Sequence, residues 1–378
     1  VRKTLDEAAA RPEELRKIME SDVDFAEWVT ARSPTGNAWR VVEDLRGWFT
    51  YWVAFYKLHH ATNERGELDK KRLEEAAGEF EKAAEMRRKL KRWRNYLVDR
   101  SLALKAHVRV ANSREELLGK AEGFRELWEE AEEHLEPTAR YLATAAGTLG
   151  RCLVYLAASG DGKRAEDLLK ERRWLLDYSP RASVTARLML RLFGVGEGAK
   201  LEEVEKAFGS WLSPMSRPAL LMLTGRLQKD EALKKCVELS KTKDHTGVSS
   251  KAEVCVNAVK AAVGDQEAAE ILRSKIKKIL KLKTESETQV AHPLLDKVDG
   301  KTLVEVLAPG YSSARLAFML LAAVEGRADA VRLHGLWGSA RFKEPLLRRL
   351  FRAVYENCNN LNSVKCKMAL LKLYYYHY

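Results

Sequence analysis

Little in this chain ends a helix or ties one segment to another. Glycine accounts for 22 of its 378 residues, proline for 9 and cysteine for 5. So sparse a supply of Gly and Pro excludes a collagen-like or low-complexity chain, and 46% hydrophobic residues exclude disorder as the dominant state. Runs that alternate apolar and polar residues with period two are absent, which excludes a sheet as the main architecture. Leu316 to Val324 is among the longest apolar stretches, well short of the ~18 residues that a membrane span needs. The N-terminal VRKTLDEAAARPEE is charged from the outset, so no secretory leader or membrane partner is expected and the expected location is cytoplasmic.

Catalytic patterns are lacking too. No CxxC and no Cys/His set with zinc spacing occurs, and HExxH, GxSxG and a Cys/His/Asn set are missing. The eight histidines (59, 60, 107, 134, 245, 292, 334 and 377) are scattered. Gly194-Val-Gly196-Glu-Gly198-Ala-Lys200 imitates a phosphate loop, yet no strand precedes it and neither Ser nor Thr follows Lys200. It reads as a turn after a helix. The expectation is a protein without enzymatic activity, cofactor or metal.

Amides are scarce, with 9 Asn and 3 Gln, while charged residues reach 32%. That balance is expected of a thermophile. Such a source makes two cysteine pairs candidate disulfides even inside a cell. Cys236 and Cys255 flank the polar KTKDHTGVSSK, and Cys358 and Cys366 flank NNLNSVK, so each pair joins the end of one helix to the start of the next. Cys152 is expected to be a buried thiol.

What the chain has in abundance is helical periodicity. Apolar residues recur at helical spacing nearly throughout, which predicts an all-α fold of 16 to 18 helices. The first are expected at 12–20 and 22–32, then an aromatic helix at 37–62, and then one from Lys70 that runs on to Ala111 or breaks near Met86. Short turns make successive helices antiparallel neighbours. Looser stretches at 241–250 and 284–293 suggest joints. The reading divides the chain into N-terminal helices (1–36), helical hairpins (37–195), further hairpins (196–283) and a compact C-terminal helical region (294–378).

Cationic charge is the second abundance: the formal net charge is +12. From Met86 to Arg114 there are ten Lys or Arg and one acid, Asp99. On a single helix Arg87, Lys91, Arg94, Lys105 and Arg109 would fall on one stripe, with Leu90, Trp93, Leu97 and Leu104 on another. The stripe has three readings. It pairs internally with the Glu-rich helix expected at 118–136, it binds an acidic protein or peptide, or it tracks the phosphates of a nucleic acid. Further basic clusters stand at 273–283 and 341–352. The aromatic run from Trp39 to Tyr56 occupies more than one helix face, which fits core packing with a remainder available as an exposed groove.

Ala76-x-x-x-Phe80-x-x-Ala83 resembles the second helix of a tetratricopeptide repeat. Leu149-Gly150-x-x-Leu153 with Ala165-x-x-x-Leu169 and Pro180 is a second partial match, three residues too long. The run of hairpins also resembles paralogous repeat proteins of thermophilic archaea. These resemblances imply an archaeal α-solenoid of stacked hairpins that acts as a protein–protein interaction scaffold through a concave basic groove. They bring no activity with them. The runner-up is a nucleic-acid- or ribonucleoprotein-associated protein that uses the basic helix 86–114.

Overall fold

The computed structural model describes residues 38–62, 68–239, 248–281 and 293–378. The helices expected at 12–20 and 22–32 lie outside the described residues, as do most of the loose stretches at 241–250 and 284–293. Among the described residues the fold is all-α, with two isolated bridges, Thr62 to Leu68 and Leu212 to Pro309, and no strand. The chain divides into two compact units, one up to Tyr155 and one from Leu156 onward.

The first unit holds α1 (Ala38–His59), α2 (Lys70–Lys89), α3 (Trp93–Val110), α4 (Arg114–Ala121), α5 (Gly123–Glu133) and most of α6 (Ala139–Ser159). Asp69 starts α2 by accepting a hydrogen bond from the Arg72 N–H at 3.0 Å, and Ser113 starts α4 by accepting from Glu116 N–H at 3.1 Å. Both satisfy amides that a helix start leaves orphaned. Ala54 and Leu58 of α1, Leu73, Ala76, Ala77 and Phe80 of α2, and Ala103, Ala106 and Val110 of α3 form one buried cluster. The small alanines bring the helices close, and Phe80 fills the space between them.

The stretch from Lys70 to Ala111, read as one helix or as two with a break near Met86, is two helices. After Lys89 the chain turns at Leu90–Arg92, with Lys91 at φ 57°, and returns as α3. A left-handed lysine costs about 1–2 kcal/mol. Closing α3 onto α2 buries Phe80, Leu97 and Leu104, each worth about 1.5–3 kcal/mol, so the hairpin wins. The Glu-rich helix expected at 118–136 is likewise two helices, α4 and α5.

Helix α6 has 21 residues and is the one described helix long and apolar enough to cross a membrane. The sequence reading passed over it. Of its most apolar window, 72% is buried inside the protein, as a core helix would be.

The second unit comprises α7 (Gly162–Leu176), α8 (Pro180–Leu192), α9 (Leu201–Phe208), α10 (Arg217–Leu223), α11 (Lys229–Leu239), α12 (Val248–Ala262), α13 (Gln266–Lys281), α14 (Gly300–Leu307), α15 (Ser312–Val324), α16 (Ala328–Arg341), α17 (Pro345–Asn357) and α18 (Val364–His377). Helix α15 is its centre: every residue from Ala314 to Ala323 is buried, as suits a helix that is apolar nearly all round. It packs on α8, α9, α14, α16 and α18. Packing α8 against α15 joins segments far apart in sequence, whereas each repeat of a linear stack touches only its neighbours. Helices α16 and α17 cross closely because Gly335 and Gly338 face α17. A Cβ on Gly335 would stand 2.9 Å from the Phe351 carbonyl oxygen, and one on Gly338 would stand 2.5 Å from the Phe351 ring. Tyr374 and Tyr375 of the aromatic C-terminus are buried within this unit.

Two disulfides tie the second unit. Cys236–Cys255 joins α11 to α12 with Cα atoms 5.4 Å apart, and Cys358–Cys366 joins the end of α17 to α18 at 4.6 Å. Cys152 is buried and belongs to neither. By loop-closure entropy the 19-residue spacing of the first bridge stabilises by about 3 kcal/mol. Urea unfolding of the Cys236→Ser, Cys255→Ser variant is expected to show that loss. Free thiols at both positions in a never-reduced sample, read by mass spectrometry, would refute it.

Candidate interaction surface

The five cations proposed as a stripe are distributed by the α2–α3 hairpin over two helices and a turn. Arg87 is only 4% exposed. Its Nη1 donates to the Asp44 carbonyl oxygen at 2.9 Å and to the Asp44 carboxylate, and its Nε lies 3.9 Å from Asp99 Oδ2. Gly47 makes room for it: a Cβ there would sit 3.2 Å from the guanidinium. Asp99 is buried, and burial pushes its carboxyl up to about 7 against the opposing pull of Arg87. Burial and then Asp99 raise the Tyr51 phenol.

Arg109 is buried as well. Lys105 keeps part of its surface at the solvent boundary, but its ammonium is enclosed. Burial first, then Arg151 and Arg109, bring its pKa well below the ordinary lysine value. Arg94 is half-buried, donates to Asn95 Oδ1 at 3.4 Å, and is lowered by burial and by Arg140. Lys91 is exposed at the turn. A continuous basic stripe of Arg87, Lys91, Arg94, Lys105 and Arg109 therefore does not form. The break at Leu90–Arg92 leaves Arg87 buried against α1 and α3 while Arg88 and Lys89 stay exposed.

The expected pairing with the Glu-rich segment is seen at Glu130. Arg88 Nε lies 3.6 Å from Glu130 Oε1, and the Tyr96 hydroxyl donates to the same carboxylate. Other pairs run between α2 and α3, as Arg100 with Glu81 at 3.6 Å, or at the start of α5, as Arg125 Nε with Glu122 at 2.7 Å. Such exposed pairs contribute at most about 1 kcal/mol each.

The remaining basic clusters are partly spent as well. Arg273 donates to the carbonyls of Leu295 and Val298, Lys275 pairs with Glu253, and Lys277 pairs with Asp296. The side chain of Lys281 and all of Lys283 lie outside the described residues. Lys343, Arg348 and Arg349 are exposed, and Arg352 pairs with Glu356 at 2.9 Å. The glycine loop after α8 borders a cleft of about 230 Å³. Two of its cations are tied to carboxylates: Lys170 to Glu166 at 3.0 Å and Arg187 to Glu203 at 2.6 Å. Burial favours protonation of Glu203, but hydrogen bonds from Arg187 and the Lys200 N–H hold its pKa below the usual glutamate value. Among the described residues no three His, Cys, Asp or Glu side chains gather as metal ligands would.

Among the described residues of the first unit, the most exposed large apolar side chains are Trp48 and Trp52 of α1, at 55% and 43%. Together with Phe55 and His59 they follow spacings of four, three and four residues, which keeps them on one face. Ring centroids lie 5.8 Å apart for Trp48–Trp52, 5.5 Å for Trp52–Phe55 and 4.2 Å for Phe55–His59. The opposite side of the helix buries Val53, Ala54 and Leu58. Sequence reasoning saw the aromatic density without separating the faces. Tyr51 belongs to the core, 5.7 Å from Phe80, and the side chain of Trp39 lies outside the described residues.

The pairs Asp44–Arg87, Tyr51–Phe80 and Lys57–Glu75 set α1 antiparallel to α2. Trp48 is one helical turn from Asp44, so it stands at the end of the hairpin where α2 turns. Lys89, Lys91 and Arg92 are exposed there. The Trp48 end of the aromatic face thus lies toward the end of the α1–α3 bundle that carries the cationic turn. No protein-family model, curated protein or solved structure matches the chain.

Proposed function

We propose that this chain is a non-enzymatic binding scaffold whose first unit takes an acidic, aromatic- or aliphatic-bearing protein segment on Trp48 and Trp52, flanked by Lys89, Lys91 and Arg92. The carrying observation is the pair of exposed tryptophans beside the cationic turn. A large exposed aromatic pair is uncommon without a partner, and Trp anchors dominate interface energetics. The tetratricopeptide-like reading of 37–195 is supported by Ala76, Phe80 and Ala83, all fully buried in α2. In this reading Arg87 shapes the scaffold and Lys91 meets the partner. The solenoid and the cytoplasmic, archaeal setting are part of the same proposal.

Peptide display against the intact chain is expected to enrich acidic segments with one or two bulky apolar residues. Trp48→Ala and Trp52→Ala are each expected to weaken a selected peptide about 30-fold, the effect of losing ~2 kcal/mol. Binding that both variants leave unchanged would sink this assignment. The alternative of nucleic-acid association rests on the same exposed rings, since aromatic side chains beside cations also stack bases. Tight, salt-steep binding of a single-stranded RNA, lost in these variants while no peptide is enriched, would replace the protein-partner reading.

A further inference from the structure

The junction of α16 and α17 gathers cations that no carboxylate neutralises. Arg341 closes α16, Lys343 follows in the connector, and Arg348 and Arg349 stand in the first turns of α17. All four are exposed, and among the described residues none has a carboxylate within ion-pair distance. Arg352, one turn further on, differs in pairing with Glu356. The one acid between Arg341 and Arg352 is Glu344, half-buried and accepting a hydrogen bond from the Tyr376 hydroxyl.

The chain itself keeps these cations together. Only Phe342–Glu344 separates the two helices, and α17 rises by about 6 Å from Pro345 to Arg349. Leu347, Leu350, Phe351 and Val354 are the buried side of α17, which leaves Arg348 and Arg349 on its outer face. Gly338, one turn before Arg341, lets α16 lie directly against Phe351. The interior adds to the same charge. Arg315 of α15 is fully buried, and its partners, His334 Nδ1 at 3.0 Å and the Pro309 carbonyl oxygen at 3.3 Å, bring no negative charge. Burial and then the charge of Arg341 hold Arg315 below the ordinary arginine pKa.

We propose that Arg341, Lys343, Arg348 and Arg349 form a surface that tracks the phosphates of a nucleic-acid duplex, separate from the tryptophan face of the first unit. Like charges without counter-charges on one surface attract a polyanion. Three of the four are arginines, whose planar fork engages phosphate bidentately. The apolar side chains among them are withdrawn: Pro345 and Leu346 are half-buried, and Phe342 is half-buried and stacked on Phe351. A docked peptide or an interfacial membrane helix needs an exposed apolar anchor, and a single strand needs an exposed ring to stack on. Duplex phosphates need only the cations.

Fluorescence anisotropy of a short labelled DNA duplex against the full chain tests this. Four neutralised phosphates give a slope of about −3.6 in log affinity against log salt, a loss of roughly 150-fold between 50 and 200 mM. Arg348→Gln combined with Arg349→Gln is expected to leave the thermal midpoint unchanged and to reduce the slope to about −1.8. Trp48→Ala and Trp52→Ala are expected to leave duplex binding as it is, so this surface and the peptide-binding reading fail separately. The native slope in the double Gln variant would overturn the surface, as would no binding at low salt up to about 100 µM protein, the weak end of non-specific DNA binding. A slope that falls only in Lys89→Gln with Lys91→Gln would move duplex binding to the first unit. Capture by phosphatidylserine vesicles in place of the duplex would assign the patch to a membrane and equally refute it.

Discussion

Replacing Arg87 by methionine is expected to destabilise the first unit by about 1.5–3 kcal/mol, the usual result of removing a charge-assisted hydrogen bond. Methionine fills much of the arginine stem, so the loss measures charge and hydrogen bonding more than volume. Three contacts go together: the bond to the Asp44 carbonyl, the pair with the Asp44 carboxylate and the charge that faces buried Asp99. The first two hold α1 in register with α2, and α1 carries Trp48 one turn further on. Urea unfolding followed by tryptophan fluorescence reads the effect. A loss below about 1 kcal/mol, the range of an exposed pair, would show that Arg87 is no internal lock. Weaker binding of a selected peptide is expected alongside.

The second large effect is a pH dependence that belongs to Asp99. In the unfolded chain this carboxyl ionises near 3.8, and in the folded chain only near 7. Between those values the native state holds a proton that the unfolded state has released, so stability falls as pH rises through this window and levels off above about 7. Three pH units correspond to roughly 4 kcal/mol. Asp99→Asn is expected to remove this slope. It would match the native protein near pH 4 and exceed its stability at pH 8 by up to about 4 kcal/mol, since a neutral amide replaces a buried ionised carboxylate. Denaturant titrations of both proteins at pH 4.5, 6 and 8 isolate the difference. Parallel profiles would mean that Asp99 ionises freely in the folded chain. With methionine at position 87 the window is expected to extend upward, because the cation that opposes the shift is gone.

Both effects sit in a segment where the reading of the sequence was least complete. Met86 to Arg114 carries no Gly and no Pro to fix the position of a turn. Lys91 adopts its left-handed conformation because α2 and α3 gain a shared core around Phe80, a gain that no window of ten or fifteen residues contains. Once the hairpin forms, charge that a helical wheel lays along one exposed stripe is divided among a buried lock, an enclosed ammonium and an exposed turn. The aromatic segment behaves the same way. Its density was visible, but which rings meet Phe80 and which meet solvent depends on where α2 lies.

Arg315 was not singled out, though a trace of it stood in the chain: one arginine at the head of the long apolar run of α15. Such a position is compatible with a helix end reaching water. Only the packing of five helices around α15 makes it a buried cation.

Some features needed no partner helix to be read. Periodicity near 3.6 residues with few Gly and Pro is a local property, and it determined the all-α fold. Asp69 and Ser113 cap the helices they precede because a cap acts within one turn. The small-residue pattern Ala76-Phe80-Ala83 announced a close helix contact, since size alone limits how near two backbones come. The tertiary structure alone decided which charges are buried, where long helices break and which tryptophans are exposed. Those outcomes are settled by burial and desolvation, which sum over residues distant in sequence, and a side chain's charge or ring does not specify the surface that will cover it.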